Sequence, residues 1–335
     1  MSLSFPSLRL RRLRQHPVLQ SLIRETELNL SDLILPLFIK GKEGKKSPIE
    51  SMPGHYQIPL SRLADEIEEI VKLGISSVIL FGIPSSKDLY GSESYHDHGI
   101  IQEAVKKIRE VSSDLLIISD LCFCEYTSHG HCGFLSERNG KKDVDNDETL
   151  KLLTKQAISH AKAGVDVVAP SGMIDGMVHA IRTGLDNSSF QHIPILSYSV
   201  KYHSSLYGPF RFAAEGAPQH GDRSSHQMDP ANAKEALREA ELDVEEGADM
   251  LMVKPAHSFL DVIYRVKEAH PHIPLGAYHT SGEFCMIKAA AAKNWLDEKR
   301  AAFEILRGIK RAGADFIITY YTKEIATWAT INSLL

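Results

Sequence analysis

Short apolar segments alternate with longer amphipathic segments along most of this chain. The apolar segments predict strands at 33–39, 77–82, 115–122, 165–170, 194–199, 250–255, 274–279 and 316–321. Apolar residues spaced three and four apart predict helices, among them 60–73, 102–111, 147–163, 230–246 and 297–312. Strands that alternate with helices are typical of an α/β protein with a parallel sheet.

Glycines mark the ends of several predicted helices. Gly164, Gly247 and Gly313 each follow a helix and precede a strand, as expected of a helix C-cap. Eight strand–helix units predict closure into a (β/α)8 barrel. One segment, about 202–228, has no clear period, and we expect it to form a lid over the end of the barrel where the strands finish.

Composition and charge exclude several classes of protein. The chain has 335 residues, of which 43% are hydrophobic and 24% charged, as in an ordinary globular protein. Its net charge of −5 gives no reason to expect a nucleic-acid partner. No apolar segment approaches the roughly 18 residues of a membrane span, so we expect no membrane partner. Three of the four cysteines are clustered, which favours metal binding in a reducing, cytoplasmic location over disulfides.

The first 24 residues are basic and contain no acidic residue. Their arginines are Arg9, Arg11, Arg12, Arg14 and Arg24. This composition is typical of an organelle transit peptide, but it also suits a basic arm that packs on a neighbouring subunit. Composition alone does not separate the two interpretations.

Lys201 and Lys254 each follow an apolar strand at equivalent positions. A lysine flanked by hydrophobic side chains loses hydration, and a second ammonium nearby also disfavours its charge. Both effects lower the pKa and free the amine to attack a carbonyl group. A single lysine of this kind is more often a solvent-facing residue at a strand end, but two favour a Schiff-base role.

Three cysteines lie within eleven positions, and they are Cys122, Cys124 and Cys132. Alternation along an extended segment would point the first two thiols to the same side, and a glycine turn could return the third. Three thiolates with an open fourth position suit a catalytic zinc ion. A fourth ligand from Cys285 would make the site closed and structural, but its distance in sequence gives no support. His129 and His131 are expected to order the loop.

Arg211 and Arg223 lie in the predicted lid. Guanidinium groups bind carboxylates with two parallel hydrogen bonds, so a pair facing a lysine site suggests a substrate with a carboxylate. The residues alone predict a barrel enzyme that uses Schiff-base lysines and zinc on a small keto acid. A class I aldolase, with one essential lysine, and a catalytically inactive metal-binding barrel are the alternatives.

Several motifs together resemble one enzyme family over nearly the whole chain. They lie at 11–14, 120–133, 169–171, 201, 207–211, 221–223, 252–255, 278–284 and 318–321. These segments resemble the 5-aminolevulinate dehydratase family, also called porphobilinogen synthases. The resemblance implies a (β/α)8 TIM barrel with an N-terminal arm and an active-site lid.

The resemblance also implies a reaction, in which a lyase condenses two molecules of 5-aminolevulinate to porphobilinogen with loss of two waters. This step belongs to tetrapyrrole and heme biosynthesis. By similarity, Lys254 forms a Schiff base with the substrate that supplies the propionate half of the product. Lys201 does so with the substrate that supplies the acetate half.

Substrate contacts follow from the same resemblance. They are Asp120, Ser171, Tyr207, Phe210, Arg211, Arg223, Gln227, Ser281 and Tyr320. Ser281 and Tyr320 would hold the carboxylate of the substrate on Lys254. Arg211, Arg223 and Gln227 would hold that of the substrate on Lys201, while Asp120 and Ser171 would lie near an amino group.

Metals and assembly complete the expectations. With its three cysteines, the chain resembles the zinc-dependent branch of the family. Glu239 occupies the position of the ligand to an allosteric magnesium, and Arg11 lies in the arm that approaches it. The resemblance implies a homo-octamer. It favours residues 1–30 as an arm packed on a neighbouring subunit, with residues 31–335 as the catalytic barrel.

Overall fold

Eight parallel strands form the centre of the molecule. The computed structural model describes residues 8–138 and 140–331. The strands are β1 (Leu33–Lys40), β2 (Ser77–Ile83), β3 (Leu116–Leu121), β4 (Val167–Pro170), β5 (Leu196–Lys201), β6 (Met250–Lys254), β7 (Leu275–His279) and β8 (Phe316–Thr319). They pair in the order β4-β3-β2-β1-β8-β7-β6-β5. A parallel bridge between Val168 and Ile195 joins the two ends, so the sheet closes into the predicted barrel.

Helices follow the strands and form an outer layer. Their bounds are α1 (Pro17–Leu22), α2 (Leu63–Lys72), α3 (Ile100–Val111), α4 (Asn146–Ala163), α5 (Met177–Asn187), α6 (Gly208–Ala213), α7 (Glu235–Glu245), α8 (Leu260–Ala269), α9 (Ser281–Ala292), α10 (Glu298–Arg311) and α11 (Thr322–Ile331). Two short antiparallel pairs lie outside the barrel, Ser47–Pro48 with Tyr56–Ile58 and Leu135–Arg138 with Lys141–Val144.

The helices form where an apolar stripe meets suitable caps. In α2, Leu63, Ile67 and Ile70 are buried, and their spacing of four and three residues places them on one face. The carboxylate of Asp145 accepts a hydrogen bond of 3.1 Å from the backbone N–H of Glu148 and caps α4. These local signals orient each helix with its apolar face on the barrel.

All eight predicted strands are present, although their ends differ from the prediction. The most consequential difference is at β5, which extends to Lys201. In the ladder between β5 and β6, Lys201 lies directly opposite Lys254. The helix predicted to begin at residue 230 begins at Glu235, because residues 230–234 form turns. The expectation that Cys122–Cys124 continue a strand is wrong, since β3 ends at Leu121 and the chain then turns.

The arm and the lid have different surroundings. Residues 1–7 of the predicted arm lie outside the described residues. From residue 8 to α1 the arm buries no side chain, and Leu10, Val18 and Leu22 are all exposed. The lid contains a 3-10 turn (Ser205–Tyr207) and α6, elements too short to give a periodic sequence pattern. No helix in the described part of the chain is long and apolar enough to cross a membrane.

Candidate active site

Lys201 and Lys254 end neighbouring strands on the carboxyl-terminal rim of the barrel, and both are buried. Both line one cavity, together with residues of the lid. Its lining is Phe81, Asp120, Cys124, Glu125, Ser171, Lys201, Tyr207, Phe210, Arg223 and Lys254. Residues predicted from six separate segments therefore meet in one place, where barrel enzymes carry their active sites.

Aromatic rings surround the amine of Lys254. The centroid of Tyr278 lies 4.2 Å from Nζ, and those of Tyr198, Tyr207 and Phe210 lie 5.1–5.2 Å away. Burial, together with the positive charge of Lys201, lowers the pKa of Lys254 to about 7. A large fraction of this amine is therefore neutral at physiological pH, as a nucleophile requires.

Lys201 lies in a more polar part of the cavity. Its Nζ donates a hydrogen bond to the carbonyl oxygen of Ser171, and the ring of Tyr198 lies 5.6 Å away. Tyr198 thus packs beneath both amines. Ser171 also donates through Oγ to a carboxylate oxygen of Asp120, at 3.1 Å. Burial and the nearby Glu125 raise the pKa of Asp120 to about 8, so this carboxyl group can exchange a proton near neutral pH.

The three clustered cysteines converge although Cys122 and Cys124 lie in a turn. The Sγ atoms of Cys122, Cys124 and Cys132 all lie within 4.8 Å of one another, and the first two are 3.3 Å apart. Sulfurs bound to one tetrahedral zinc are about 3.8 Å apart, given a Zn–S distance of roughly 2.3 Å. The cluster therefore fits one metal ion with a fourth position open.

The electrostatics of the thiols are consistent with metal binding. Hydrogen bonds among the sulfurs hold the pKa of Cys132 well below its usual range and that of Cys122 above it. Negative charge is thus already shared within the cluster. Glu125 lies beside it, with Oε2 3.2 Å from Sγ of Cys124. Burial raises the pKa of Glu125, and repulsion from the thiolate of Cys124 raises it further.

Arg223 of the lid lines the same cavity, and Arg211 lies against the ring of Tyr207, which also lines it. Arg223 is buried and donates to the carbonyl oxygen of Gly130 at 3.0 Å and to that of Gly216. Within the described residues, buried nitrogens of Arg211 and Arg223 and both amide atoms of Gln227 have no hydrogen-bond partner. Unpaired buried donors are costly, so the nitrogens of Arg211 and Arg223 need an acceptor from a bound molecule.

Other contacts hold the lid closed. The ammonium of Lys40 forms an ion pair with Glu215, and Lys87 donates to the carbonyl oxygen of Glu215. Gln57 donates to the carbonyl oxygen of Ala213 at 2.7 Å. Three separate segments of the barrel therefore hold the end of α6 and the two residues that follow it. The rings of Tyr207 and Phe210 consequently stay over Lys254.

Ser281 and Tyr320 each contact a residue that packs on Lys254. Ser281 begins α9, and its Oγ accepts a hydrogen bond of 3.0 Å from the backbone N–H of Phe210. The hydroxyls of Tyr320 and Tyr278 are 3.0 Å apart, and Tyr278 contacts Lys254. These hydroxyls could hold a carboxylate.

Several predicted residues lie away from the lysines. Glu239 lines a separate cleft with Asp143, Asp175 and Glu235. Burial and the charges of Asp243, Asp175 and Glu235 raise its pKa to about 7. Cys285 is on α9, where its Sγ donates to the carbonyl oxygen of Ser51 at 2.7 Å, outside the thiol cluster.

The two histidines of the cysteine loop order it, as expected. The ring of His131 lies 2.8 Å from the carbonyl oxygen of His220 in the lid. The ring of His129 lies 3.3 Å from the carbonyl oxygen of Leu89.

Sequence reasoning missed four residues of the site: Phe81, Glu125, Tyr198 and Tyr278. Glu125 follows Cys124 directly, and an acid beside a thiol cluster is a signal that could have been used. Tyr198 lies three residues before Lys201, and Tyr278 is one residue before the end of β7. Both are tyrosines inside apolar strands, a pattern that in a barrel can place a hydroxyl in the centre.

Fold and site together define an α/β-barrel enzyme with two buried lysines at the carboxyl-terminal ends of its strands. The family described as delta-aminolevulinic acid dehydratase matches residues 7–328. The chain belongs to this family, which confirms the resemblance seen in the sequence.

Individual relatives agree with this assignment. A delta-aminolevulinic acid dehydratase of Halalkalibacterium halodurans is 52% identical over 318 residues, covering 95% of each chain. That of Bacillus subtilis is 52% identical over 329 residues, covering 98% of this chain and 99% of the relative. The crystal structure of the Toxoplasma gondii enzyme with the reaction product porphobilinogen is 43% identical. It superposes with a TM-score of 0.92 and covers 96% of this chain and 91% of that one.

Proposed function

We propose that this protein condenses two molecules of 5-aminolevulinate to porphobilinogen, with loss of two waters, as a lyase of tetrapyrrole and heme biosynthesis. The observation that carries the proposal is the pairing of Lys201 and Lys254 in one register of adjacent strands, both buried in one cavity. An aldolase needs one such lysine, and two suit a reaction that activates two ketones.

Each lysine acts as a nucleophile toward one substrate. The neutral amine of Lys254 attacks the ketone of the first 5-aminolevulinate, and loss of water leaves an iminium ion. Lys201 binds the ketone of the second in the same way. An iminium withdraws electrons from the neighbouring carbon, which can lose a proton and form the new carbon–carbon bond. The charges of both lysines act on Asp120, and its pKa of about 8 suits it to hold or accept a proton.

The polar groups of the cavity divide the substrates between two subsites. Ser281 and Tyr320 hold the carboxylate of the substrate on Lys254. Arg211, Arg223 and Gln227 hold that of the substrate on Lys201, which satisfies donors that otherwise lack a partner. Tyr207 and Phe210 cover Lys254, while Ser171 and Asp120 face the amino group of the first substrate.

The thiol cluster is proposed to hold zinc. Cys122, Cys124 and Cys132 supply three thiolates within one coordination sphere, and their arrangement leaves a position open. Zinc bound there supplies a Lewis acid beside the substrate amine. The buried charge of Arg223 attracts the thiolates, which raises its own pKa, and it helps to lower the pKa of Cys132.

Formation of porphobilinogen from 5-aminolevulinate tests the proposal directly. The assay is run with the purified enzyme, with a zinc chelator, and after zinc is added back. We expect activity that the chelator removes and zinc restores. Activity unaffected by the chelator would support the proposed reaction and contradict a catalytic role for zinc. A folded protein with no activity in any condition would overturn the reaction and leave the aldolase and inactive-barrel alternatives.

Assembly through the arm is a further part of the proposal. The arm exposes Leu10, Leu13, Val18 and Leu22, and such apolar side chains favour burial against another copy of the chain. We expect a homo-octamer, and light scattering after size-exclusion chromatography measures it. Deletion of residues 1–24 should reduce the assembly, and an unchanged octamer would contradict the role of the arm.

Magnesium is proposed as an allosteric ion at Glu239. Burial and the carboxylates of Asp243, Asp175 and Glu235 make its ionisation unfavourable, and a divalent cation would relieve the repulsion. Activity should rise with magnesium in the unmodified enzyme and stay flat in Glu239→Gln. A flat response in the unmodified enzyme would contradict the site.

A further inference from the structure

The main chain of Tyr320 leaves the barrel at a point where strand pairing ends. The last ladder pair of β8 is His279 with Thr319, so the carbonyl group of Tyr320 lies beyond it. Tyr320 is fully buried. A buried carbonyl oxygen without a hydrogen bond is costly, and it needs a donor from another segment.

His55 supplies that donor from a distant part of the sequence. Its Nε2 lies 2.9 Å from the carbonyl oxygen of Tyr320. Burial lowers the pKa of His55 to about 4, so the ring is neutral at physiological pH and carries one N–H. Because a carbonyl oxygen can only accept, the proton lies on Nε2.

The ring of His55 also packs against two aromatic side chains. It meets Tyr320 edge-on, with centroids 5.2 Å apart at 85°, and Phe284 in the same way, at 5.3 Å and 81°. Such edge-to-face contacts are favourable. His55 therefore touches the end of β8 and the start of α9 at once, where Tyr320 and Ser281 are proposed to hold the substrate carboxylate.

A short turn holds His55 in place. The backbone N–H of Ile49 donates to the carbonyl oxygen of His55 at 2.9 Å, and that of His55 donates to the carbonyl oxygen of Met52 at 3.0 Å. Cys285 on α9 donates to the carbonyl oxygen of Ser51 in the same turn. The turn is thus tied to α9 independently of the imidazole.

We propose that His55 is a positioning residue for the subsite at Lys254: it fixes the main chain of Tyr320, and so holds the phenol where the substrate carboxylate docks. The phenol of Tyr320 pairs with that of Tyr278, whose ring contacts Lys254. A small shift of the Tyr320 main chain would move this hydroxyl away from the carboxylate. The inference rests on the proposed function, since it assumes that 5-aminolevulinate binds to Lys254.

Borohydride trapping measures the two subsites separately. Reduction of each Schiff base labels its lysine permanently, and peptide mapping at increasing 5-aminolevulinate gives a half-saturating concentration for Lys254 and one for Lys201. The matched variants are His55→Gln and His55→Met. They are similar in size, but only glutamine keeps an N–H donor near the position of Nε2. Tyr320→Phe is the positive control.

We expect His55→Met to raise the half-saturating concentration for Lys254 about tenfold, as loss of one buried hydrogen bond predicts. The value for Lys201 should change less than about twofold. His55→Gln should restore the value for Lys254 to within about threefold of the unmodified enzyme. Tyr320→Phe should weaken Lys254 labelling at least as much as His55→Met, by about tenfold.

Other outcomes would overturn the inference. Equal half-saturating concentrations in the glutamine and methionine variants would show that the donor is unimportant. Equal weakening at both lysines, with a lower Tm, would show that His55 only stabilises the fold. If His55→Met does not fold, His55→Phe replaces it, since phenylalanine keeps the ring contacts and lacks the donor. An unmodified enzyme that labels neither lysine would instead overturn the proposed function.

Discussion

The two lysines of the cavity have the same position in neighbouring strands but different surroundings. Lys254 contacts four aromatic rings, two of them from the lid. Lys201 contacts one ring and donates to a backbone carbonyl oxygen. A lysine among rings loses more hydration than one with a polar partner, so the same residue type can serve two roles in one reaction.

The difference also separates what surrounds each subsite. In the proposed assignment, the substrate on Lys254 meets the hydroxyls of Ser281 and Tyr320 and the carboxyl group of Asp120. The substrate on Lys201 meets the guanidinium groups of the lid and the thiol cluster. We infer that the aromatic rings keep the amine of Lys254 neutral, and that the polar groups near Lys201 bind the charged groups of the substrate. Four changes test this contrast, from the largest expected effect to the smallest.

Replacement of either lysine by arginine should nearly abolish turnover. Lys254→Arg and Lys201→Arg keep the positive charge but remove the nucleophile, because a guanidinium stays protonated. We expect kcat to fall by about 10³-fold or more in each. Porphobilinogen formation measures the loss, and borohydride labelling shows whether the remaining lysine still binds substrate.

The control for these variants is Lys267→Arg, which changes a lysine paired with Asp315 on the outside of the barrel. Its activity should stay unchanged. Substantial turnover by Lys201→Arg would show that one Schiff base is enough, and it would favour the aldolase alternative.

Loss of one clustered thiol should release zinc. Cys124→Ser removes one of three close sulfurs, and we expect zinc affinity to fall by at least about 100-fold. The measurement is bound zinc per chain after dialysis against a chelator. Cys285→Ser is the matched control, since its thiol lies outside the cluster. Equal zinc retention by both variants would contradict the proposed metal site.

The reactivity of Lys254 should follow pH with a midpoint near 7. Below its pKa of about 7 the amine is protonated, so labelling of Lys254 should fall as the pH falls. In Lys201→Met the neighbouring charge is gone, and the midpoint should move up by about one pH unit. Lys201→Arg keeps the charge and should keep the midpoint.

Labelling rates of Lys254 from pH 5 to 9, at saturating substrate, give this comparison. An unchanged midpoint in Lys201→Met would show that burial alone sets the pKa of Lys254. The contrast between the two lysines would then not depend on their charges.

A looser lid should have the smallest effect. Lys40→Met removes an ion pair between partly exposed side chains, which contributes about 1 kcal/mol or less. We expect KM for 5-aminolevulinate to rise less than about fivefold with kcat unchanged. The difference in KM between the two enzymes should become smaller at high salt, which screens the ion pair. Lys106→Met, which breaks an ion pair on α3, is the control. A large fall in kcat would mean that the ion pair does more than hold the lid.

Much of the site could be predicted because its residues lie in recognisable local patterns. Lys201, Lys254 and the clustered cysteines follow predicted strands, and the barrel carries strand ends to one rim. His55 and Tyr198 could not be assigned roles in this way. His55 acts on a carbonyl 265 positions away, and Tyr198 lies under an amine from another strand. Such contacts depend on how segments pack, which periodicity does not encode.

The sequence by itself determined the order of eight strands and their helices, because each element buries its own apolar face and carries its own end signals. It also determined which nucleophiles and thiols reach the rim. Only the tertiary structure decided which lysine lies among aromatic rings. It also decided that the cysteines converge through a turn. The physical reason is that hydration, hydrogen bonding and charge at a buried group are set by neighbours brought together from across the chain.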